Sequence, residues 1–348
     1  MSQVLYGERS WNPLARRVEL TEEELRRGGR ITSLTELNLG AMAEAYQRGN
    51  WLGGGGTERP LARLAQGPGV VPVTRVTGTS TPVRVRQAAD FAEQLGELAV
   101  RLSGGPEGVG ALARRAWTEG VPLWIARRYA EGPAGPIAVA VDRRLVRVDV
   151  WGPQAPVVRL RAPQGFQRDS NDPAKGLRLT VGDDPASLRL TKKLRKSKSS
   201  VEVELSGRRW LLRRSTTMSS WLLRDEQPVA LLSRPPRRQT VEPGSVLLPL
   251  APVRHESRDP LDAVMAHVFA VAFGLGDTTG LARFRSARRR TDGGDPVVTD
   301  TDWDRSWFSN LGSGSDDNEP GGGDGWGSDG GDSGDSGGGD GGGDGGGD

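Results

Sequence analysis

The chain has 348 residues, with 47 Lys and Arg, 44 Asp and Glu, two His and no Cys, for a net charge of +3. The missing Cys excludes disulfides and thiol chemistry, and His255 and His267 alone are too few for a metal site. The first residues lack a signal-peptide pattern, and no apolar run reaches the roughly 20 residues of a membrane-spanning helix, so a cytoplasmic location is expected.

The small net charge conceals a basic body and an acidic end. Residues 311–348 contain ten Asp and Glu and no Lys or Arg, so the whole-chain charge of +3 less this −10 leaves +13 on residues 1–310. A basic body favours anionic partners such as a membrane surface or nucleic acid. The alternative is a bacterial genome that favours Arg, since only five of the 47 basic residues are Lys, and the charge is then incidental.

Two helices are predicted in the N-terminal segment, residues 1–56. Thr21 followed by Glu24 matches a capping box that leads into an apolar residue. Ser33 can cap a second helix, in which apolar residues recur at roughly helical spacing from Leu34 to Tyr46.

Residues 57–120 are predicted to be a Pro- and Gly-rich, weakly ordered connection followed by helices. Short strand-forming pieces lie at 70–76 and 82–85, and the helices are expected over 87–102 and 109–116. Because these segments bury little surface alone, we expect them to form an arm that packs loosely on the body.

Residues 121–280 have a different character, because short apolar runs are separated by turn residues. Between 201 and 205, apolar and acidic residues alternate as in a half-buried strand. Closely spaced short strands favour an all-β sandwich or barrel over alternating strands and helices. Ten strands are predicted, near residues 137–141, 145–150, 157–160, 177–181, 188–190, 201–205, 209–213, 221–224, 229–232 and 246–250.

The longest apolar stretch in this half, residues 259–274, is predicted to be a buried helix. Asp259 can cap its first turn, Pro260 suits the position after a cap, and Gly274 can close the far end. Apolar residues go most of the way round it, so all its sides should be buried. The predicted fold class is α+β: a β-barrel of about ten to twelve strands around this central hydrophobic helix, with a helical N-terminal arm and a disordered tail over 281–348.

A meander of short strands followed by one wholly apolar helix resembles the tubby-like C-terminal fold, which includes the tubby, LURP-one-related and phospholipid-scramblase families. The stretch DPLDAVMAHVFAVAFG takes the place of the family's central helix, and strand–turn–strand units such as WLLRDEQPVA look like its repeated hairpins. The resemblance covers about residues 121–280. It implies a closed barrel and a binding or membrane-associated role, often recognition of anionic phospholipid, and no family binding residue carries over.

The best functional lead is a run of cations, KKLRKSK, between two predicted strands. It contains four of the five lysines of the chain. Clustered cations on a hairpin loop are typical of contacts with phosphate or anionic lipid, although a solvated turn that keeps edge strands from aggregating explains them equally well. The anion- or lipid-binding residues predicted here are Lys192, Lys193, Arg195, Lys196 and Lys198.

A second basic cluster follows the apolar helix, at Arg288, Arg289 and Arg290. These residues can bind an anion, or they can pair with the acidic tail, which would then shield the basic surface. The GGGD repeats of that tail lack the apolar residue that lets calcium-binding repeats stack, so they are interpreted as a disordered solubilising segment.

Three aromatic residues lie among acidic ones near the end of the chain: Trp303, Trp307 and Phe308. They form a candidate motif for docking into a partner, or they can equally fold back on the body of the protein. Carboxylates are plentiful, but no pair or motif indicates an active site, so no enzyme activity, metal or cofactor is predicted.

The leading predicted function is a non-enzymatic binding module for anionic surfaces, and the expected ligand is a phospholipid membrane. The lysine-rich loop would make the contact, and the protein would associate peripherally with the membrane. The alternative is a cytoplasmic protein-interaction scaffold that uses the N-terminal helices and the Trp303, Trp307 and Phe308 segment. Nucleic acid stays open as a third partner.

Overall fold

The computed structural model arranges the chain around two large hydrophobic cores. The first core gathers buried residues from Tyr6 to Val109, and the second gathers buried residues from Ile137 to Phe273. The structure describes residues 3–8, 17–142, 147–161, 174, 176–191, 199–216, 218–233, 246–247 and 250–273.

A four-stranded antiparallel sheet, and not a helix, begins the chain. Leu20 and Leu25 face the first core from neighbouring strands. The Thr21 hydroxyl accepts hydrogen bonds from the amides of Glu23 and Glu24, at 3.3 and 3.2 Å, as a helix cap would. Here those bonds close a hairpin turn, so the helix predicted from Thr21 is wrong: the alternating burial of the two strands outweighs the capping pattern. The strands, in sheet order, are β1 (Val4–Gly7), β2 (Val18–Thr21), β3 (Glu24–Arg27) and β4 (Arg30–Ser33).

The second predicted helix exists but begins later than expected. Ser33 caps a short 3-10 turn, and Asn38 then caps helix α1 (Leu39–Gln47) by accepting a hydrogen bond from the amide of Ala41 at 3.2 Å. A short antiparallel pair follows α1, and it consists of β5 (Asn50–Leu52) and β6 (Glu58–Pro60).

The predicted weakly ordered connection contains a strand pair that belongs to the first core. Its valines Val71, Val73, Val83 and Val85 are buried on one face of a hairpin and pack against the helices. The helix expected over 87–102 is confirmed, and the one expected over 109–116 is longer. The loose helical arm is therefore a wrong prediction, because the valines give this part a core of its own. The elements are β7 (Gly69–Thr74), β8 (Ser80–Val85), α2 (Ala88–Leu102) and α3 (Gly105–Glu119).

An eleven-stranded antiparallel sheet follows, with its strands side by side in chain order. Nine of the ten predicted strands are confirmed, and the tenth, 246–250, is not a strand at its described residues 246, 247 and 250. The strands are β9 (Arg127–Ala130), β10 (Ile137–Asp142), β11 (Arg147–Trp151), β12 (Val158–Arg161), β13 (Arg178–Val181), β14 (Asp184–Thr191), β15 (Ser200–Leu205), β16 (Arg208–Arg214), β17 (Ser219–Arg224), β18 (Gln227–Ser233) and β19 (Val253–His255).

The apolar stretch forms helix α4 (Pro260–Ala272), as predicted. The Asp259 carboxylate accepts a hydrogen bond from the amide of Leu261 at 3.0 Å and so caps the first turn. Every residue from Asp262 to Ala272 is buried, and the helix contacts β11, β12, β18 and β19. Gly274, the predicted cap at the far end, lies outside the described residues.

The predicted closed barrel around this helix is wrong, because the sheet is open. A closed barrel needs a hydrogen-bond ladder between its first and last strands. In the described part of the chain, β9 and β19 are the two ends of the sheet and no ladder joins them. At four and three residues, these end strands offer few groups for such a ladder.

Candidate anion-binding site

A cleft lined by three arginines lies between two hairpins of the N-terminal part. The first hairpin joins β3 to β4 through the two-residue turn Gly28-Gly29, and Arg27 and Arg30 face each other on either side of that turn. Gly28 takes a φ of 59°, which glycine adopts without strain. Like charges directly opposite each other destabilise a hairpin, so this pair costs folding free energy in the absence of an anion.

The second hairpin, β7 with β8, supplies the third arginine. Arg75 follows β7 directly and is held by its backbone, which forms a bridge with Leu37 and a 2.8 Å hydrogen bond to the carbonyl of Thr79. The Arg75 Nη2 atom lies 2.9 Å from a carboxylate oxygen of Glu36. Among the described residues, this carboxylate is the one acidic group that pairs with any of the three arginines.

The cleft has an apolar floor and a polar rim. Its interior is narrow, with a volume of about 10 Å³ or room for about one water molecule, and it is open to solvent, so a larger ligand would sit at the rim. Apolar walls strengthen the attraction between the rim and a bound anion, because they lower the local dielectric constant. The floor consists of Leu25, Leu37, Val73 and Val83, and the rim of Arg27, Arg30, Arg75, Thr32 and Thr81.

Two guanidinium N–H groups at the rim lack an acceptor. The Nε atoms of Arg27 and Arg75 are buried and have no hydrogen-bond partner within the described residues. Burial, together with repulsion from Arg30 and Arg75, lowers the pKa of Arg27. Buried donors are normally satisfied, so two orphaned donors beside an uncompensated positive charge indicate a place for an oxyanion.

A second arginine cluster does not qualify as a ligand site, because its positive charges already pair with a carboxylate of the chain. Asp149 is fully buried, and Arg147, Arg159 and Arg161 all pair with its carboxylate. Arg147 also donates a 2.8 Å hydrogen bond to the carbonyl of Gly120, at the end of α3. This cluster joins the N-terminal part to the sheet and is a structural feature.

A wider cleft beside β1 and α2 has a volume of about 430 Å³, and the Glu8 carboxylate pairs with two of the polar groups that line it. The Tyr6 hydroxyl donates to Glu8, and the same carboxylate accepts the amide of Arg86 at 2.7 Å. Burial is the main cause that raises the pKa of Tyr6 to about 12. The polar groups of this cleft indicate no ligand class.

The residues predicted from the sequence to bind anions or partners all lie outside the described residues. Lys192, Lys193, Arg195, Lys196 and Lys198 connect β14 to β15, whose ends pair Thr191 with Ser200, so their place between two paired strands is as predicted. Arg288, Arg289, Arg290, Trp303, Trp307 and Phe308 follow the last described residue, Phe273.

His267, within helix α4, is 2% exposed, and its ring centroid lies 5.5 Å from that of His255. Burial, with a smaller contribution from the neighbouring His255, lowers the pKa of His267 to about 3. Within the described residues, no group of three or more His, Cys, Asp or Glu is placed to hold a metal ion.

Sequence reasoning missed the arginine cleft, although half of its signal is visible. The segment RRGGR at 26–30 places Arg27 and Arg30 on the two sides of a Gly-Gly turn, but no role was predicted for it. Arg75 lies 45 residues beyond Arg30, and no spacing rule connects the two.

Comparisons with known proteins identify no relative. No family model matches the chain, no curated protein matches it, and no solved structure matches it. The resemblance to the tubby-like fold therefore stays a prediction. Among the described residues, none of the helices combines the length and apolar character needed to cross a membrane.

Proposed function

We propose that this chain is a non-enzymatic binding protein for anionic phospholipid, and that a lipid phosphate group binds at the rim of the arginine cleft. The observation that carries the proposal is the pair of buried, unpartnered Nε donors of Arg27 and Arg75 beside Arg30. A phosphate group offers several acceptor oxygens and a charge that would offset the repulsion among the three guanidinium groups.

Phosphate fits the donor set better than a single carboxylate does. The rim combines three guanidinium groups with the hydroxyls of Thr32 and Thr81, and Glu36 engages only Arg75. The tetrahedral oxygens of a phosphate can accept hydrogen bonds from several directions at once, and Arg is the side chain most often used to recognise them.

The charge distribution supports a membrane surface as the source of that phosphate. Residues 1–310 carry a net charge of +13, and each Lys or Arg near an anionic leaflet contributes about 1 kcal/mol of attraction. The lysine-rich segment at 192–198 would add to this attraction.

Co-sedimentation with vesicles tests the proposal. The full chain and the double variant Arg27→Gln, Arg30→Gln are mixed with phosphatidylcholine vesicles that contain or lack phosphatidylserine. The control is Arg26→Gln, Arg101→Gln, which removes the same charge from exposed arginines that pair with Glu24 and Glu22. We expect selective binding to anionic vesicles, a loss of about tenfold or more in the cleft variant, and a smaller loss in the control, since each charge-assisted hydrogen bond contributes about 1.5–3 kcal/mol.

Equal losses in both double variants would mean that charge alone drives binding and that the cleft is not the site. Wild-type binding that does not distinguish the two kinds of vesicle would overturn the lipid assignment. The lipid assignment would also be overturned if the chain bound a nucleic-acid duplex through Arg27 and Arg30 but did not bind anionic vesicles.

A further inference from the structure

The most exposed large apolar side chain of the described residues is Trp117, at 88% exposure. It lies near the end of α3, whose inner face is held by the buried residues Val109 and Ala116. A tryptophan buries between about 150 and 250 Å² when it is covered, so leaving this indole in water forgoes a large stabilisation.

The C-terminal half of α3 carries positive charge and contacts a second exposed aromatic ring through Arg115. Tyr129, on the end strand β9, is 56% exposed, and its hydroxyl accepts a 3.2 Å hydrogen bond from Arg115. Arg114 is exposed, and no carboxylate among the described residues pairs with it. Glu119, the nearby acid, is 10% exposed and is engaged by Arg115 and Arg127 at 2.8 and 3.1 Å. The outer surface here is therefore aromatic and basic.

This combination matches the boundary between lipid headgroups and acyl chains. Trp and Tyr concentrate at that boundary because their rings are apolar and their polar atoms still reach water. Arginine stems lie along the apolar layer while their guanidinium groups pair with lipid phosphate. Neither of the two clefts described above includes Trp117, so the indole protrudes and does not line a groove. A protruding ring suits a deformable lipid surface better than it suits a rigid partner, which would need a matching pocket.

We infer that Trp117, with Arg114 three residues earlier on the same face of α3, forms an aromatic anchor that enters the headgroup layer of an anionic bilayer. The inference rests on the proposed lipid-binding function and names a second contact for it. In this arrangement the arginine cleft holds a phosphate group and the aromatic anchor supplies apolar insertion.

Two measurements on the full chain test the aromatic anchor. Trp117→Ala is compared with Met218→Ala, which removes another exposed apolar side chain, 49% exposed, from the turn before β17. In co-sedimentation with vesicles of phosphatidylcholine and phosphatidylserine, we expect Trp117→Ala to bind about tenfold more weakly, because roughly half of the indole surface leaves water on insertion. Met218→Ala should bind like the wild type.

The second measurement is quenching of tryptophan fluorescence by lipids that carry bromine near the start of their acyl chains. The wild type should lose more emission than Trp117→Phe does, because the quencher acts only at contact distance from an inserted indole. Circular dichroism of both variants checks that α3 stays folded, as expected for a side chain that is 88% exposed.

The outcomes separate the inference from the proposed function. If the double variant Arg27→Gln, Arg30→Gln weakens vesicle binding and Trp117→Ala does not, the aromatic anchor is overturned and the cleft stays as the site. Loss of binding in Trp117→Ala alone would support the anchor and overturn the cleft. A wild type that ignores anionic vesicles overturns both. A dimer that Trp117→Ala converts to a monomer, with vesicle binding unchanged, would show that a second copy of the chain covers the indole.

Discussion

The guanidinium group of Arg159 lies against Gly120, with its Nη2 atom 2.8 Å from the position that a β-carbon would occupy there. Gly120 ends α3 with a φ of 64°, and Arg159 donates a 3.4 Å hydrogen bond to the carbonyl of Glu119 beside it. The sheet therefore approaches the end of α3 so closely that a β-carbon at Gly120 would displace the guanidinium group of Arg159.

We predict that Gly120→Ala destabilises the fold by about 2–3 kcal/mol. Roughly 1 kcal/mol comes from placing a β-carbon at a positive φ, and the rest comes from displacing Arg159. The control is Gly49→Ala, where φ is 73° and no atom lies within 4 Å of the added carbon. Urea denaturation of both variants isolates the free energy of displacing Arg159. An equal loss of unfolding free energy in the two variants would mean that Arg159 moves aside without cost.

A second prediction concerns the hydrogen bond between Trp210 and Asp262. The Trp210 Nε1 atom donates to Oδ1 of this carboxylate at 2.9 Å, and both residues are buried. Arg224 lies 2.8 Å from the other oxygen, which is close enough for an ion pair but not aligned as a hydrogen bond. Trp210→Phe should cost about 1–3 kcal/mol, since it leaves a buried oxygen without a donor.

Trp221→Phe is the matched control for Trp210→Phe, because Trp221 lies on the neighbouring strand and is partly exposed. The Arg254 guanidinium carbon lies over its ring, 5.8 Å from the ring centroid. The cost of Trp221→Phe should stay within about 1 kcal/mol. Thermal and urea unfolding of the two variants provide the comparison. A Trp210→Phe variant as stable as Trp221→Phe would contradict a role for the Asp262 hydrogen bond.

The depressed pKa of His267 predicts a loss of stability in mild acid. Above pH 6.5 the imidazole is neutral in both states, so it adds no pH dependence. As the pH falls from 6.5 towards 3, the unfolded chain takes up a proton that the folded chain refuses, and the free energy of unfolding declines by about 1.4 kcal/mol per pH unit. Burial also lowers the pKa of His255, which acts in the same direction.

Urea unfolding at pH 7 and pH 5 measures this effect. Between these two conditions the wild type should lose about 2 kcal/mol more than His267→Leu, which has no proton to bind at that position. Identical losses in the two proteins would show that His267 is not the group responsible.

The last prediction is that Arg30→Gln stabilises the chain in the absence of ligand, by about 0.2–1 kcal/mol, because it removes the like charge opposite Arg27. Arg26→Gln serves as the control, since it removes an arginine that pairs with Glu24 on the outer face and should be neutral or slightly destabilising. Differential scanning calorimetry gives both values. A Tm for Arg30→Gln below that of the wild type would mean that the cleft carries no stored repulsion.

The sequence predicted the parts of this fold that repeat a local pattern. Strands β10 to β18 and helix α4 follow from alternating and all-round apolar residues, which depend only on near neighbours. The helix expected at Thr21 failed because a hydroxyl that accepts from the second and third following amides closes a hairpin as readily as it caps a helix. Closure of the sheet depends on how the ends of β9 and β19 meet, and no local pattern records that.

The candidate site could not be predicted because it is made by tertiary contact. Arg27 and Arg30 are visible as neighbours of a Gly-Gly turn, but Arg75 reaches them only when the two hairpins pack together. The orphaned Nε atoms, which distinguish this cleft from the satisfied cluster at Asp149, are a property of the packed structure alone.

The chain order of the large sheet has a consequence for synthesis on the ribosome. Each strand from β9 to β19 pairs with its neighbour in sequence, so the hairpins can form as they emerge. The face that they build stays uncovered until α4, which follows the last strand, is made and packs on β11, β12, β18 and β19. For that interval the nascent chain presents a broad apolar surface, and its escape from aggregation depends on chaperones or on rapid arrival of the helix.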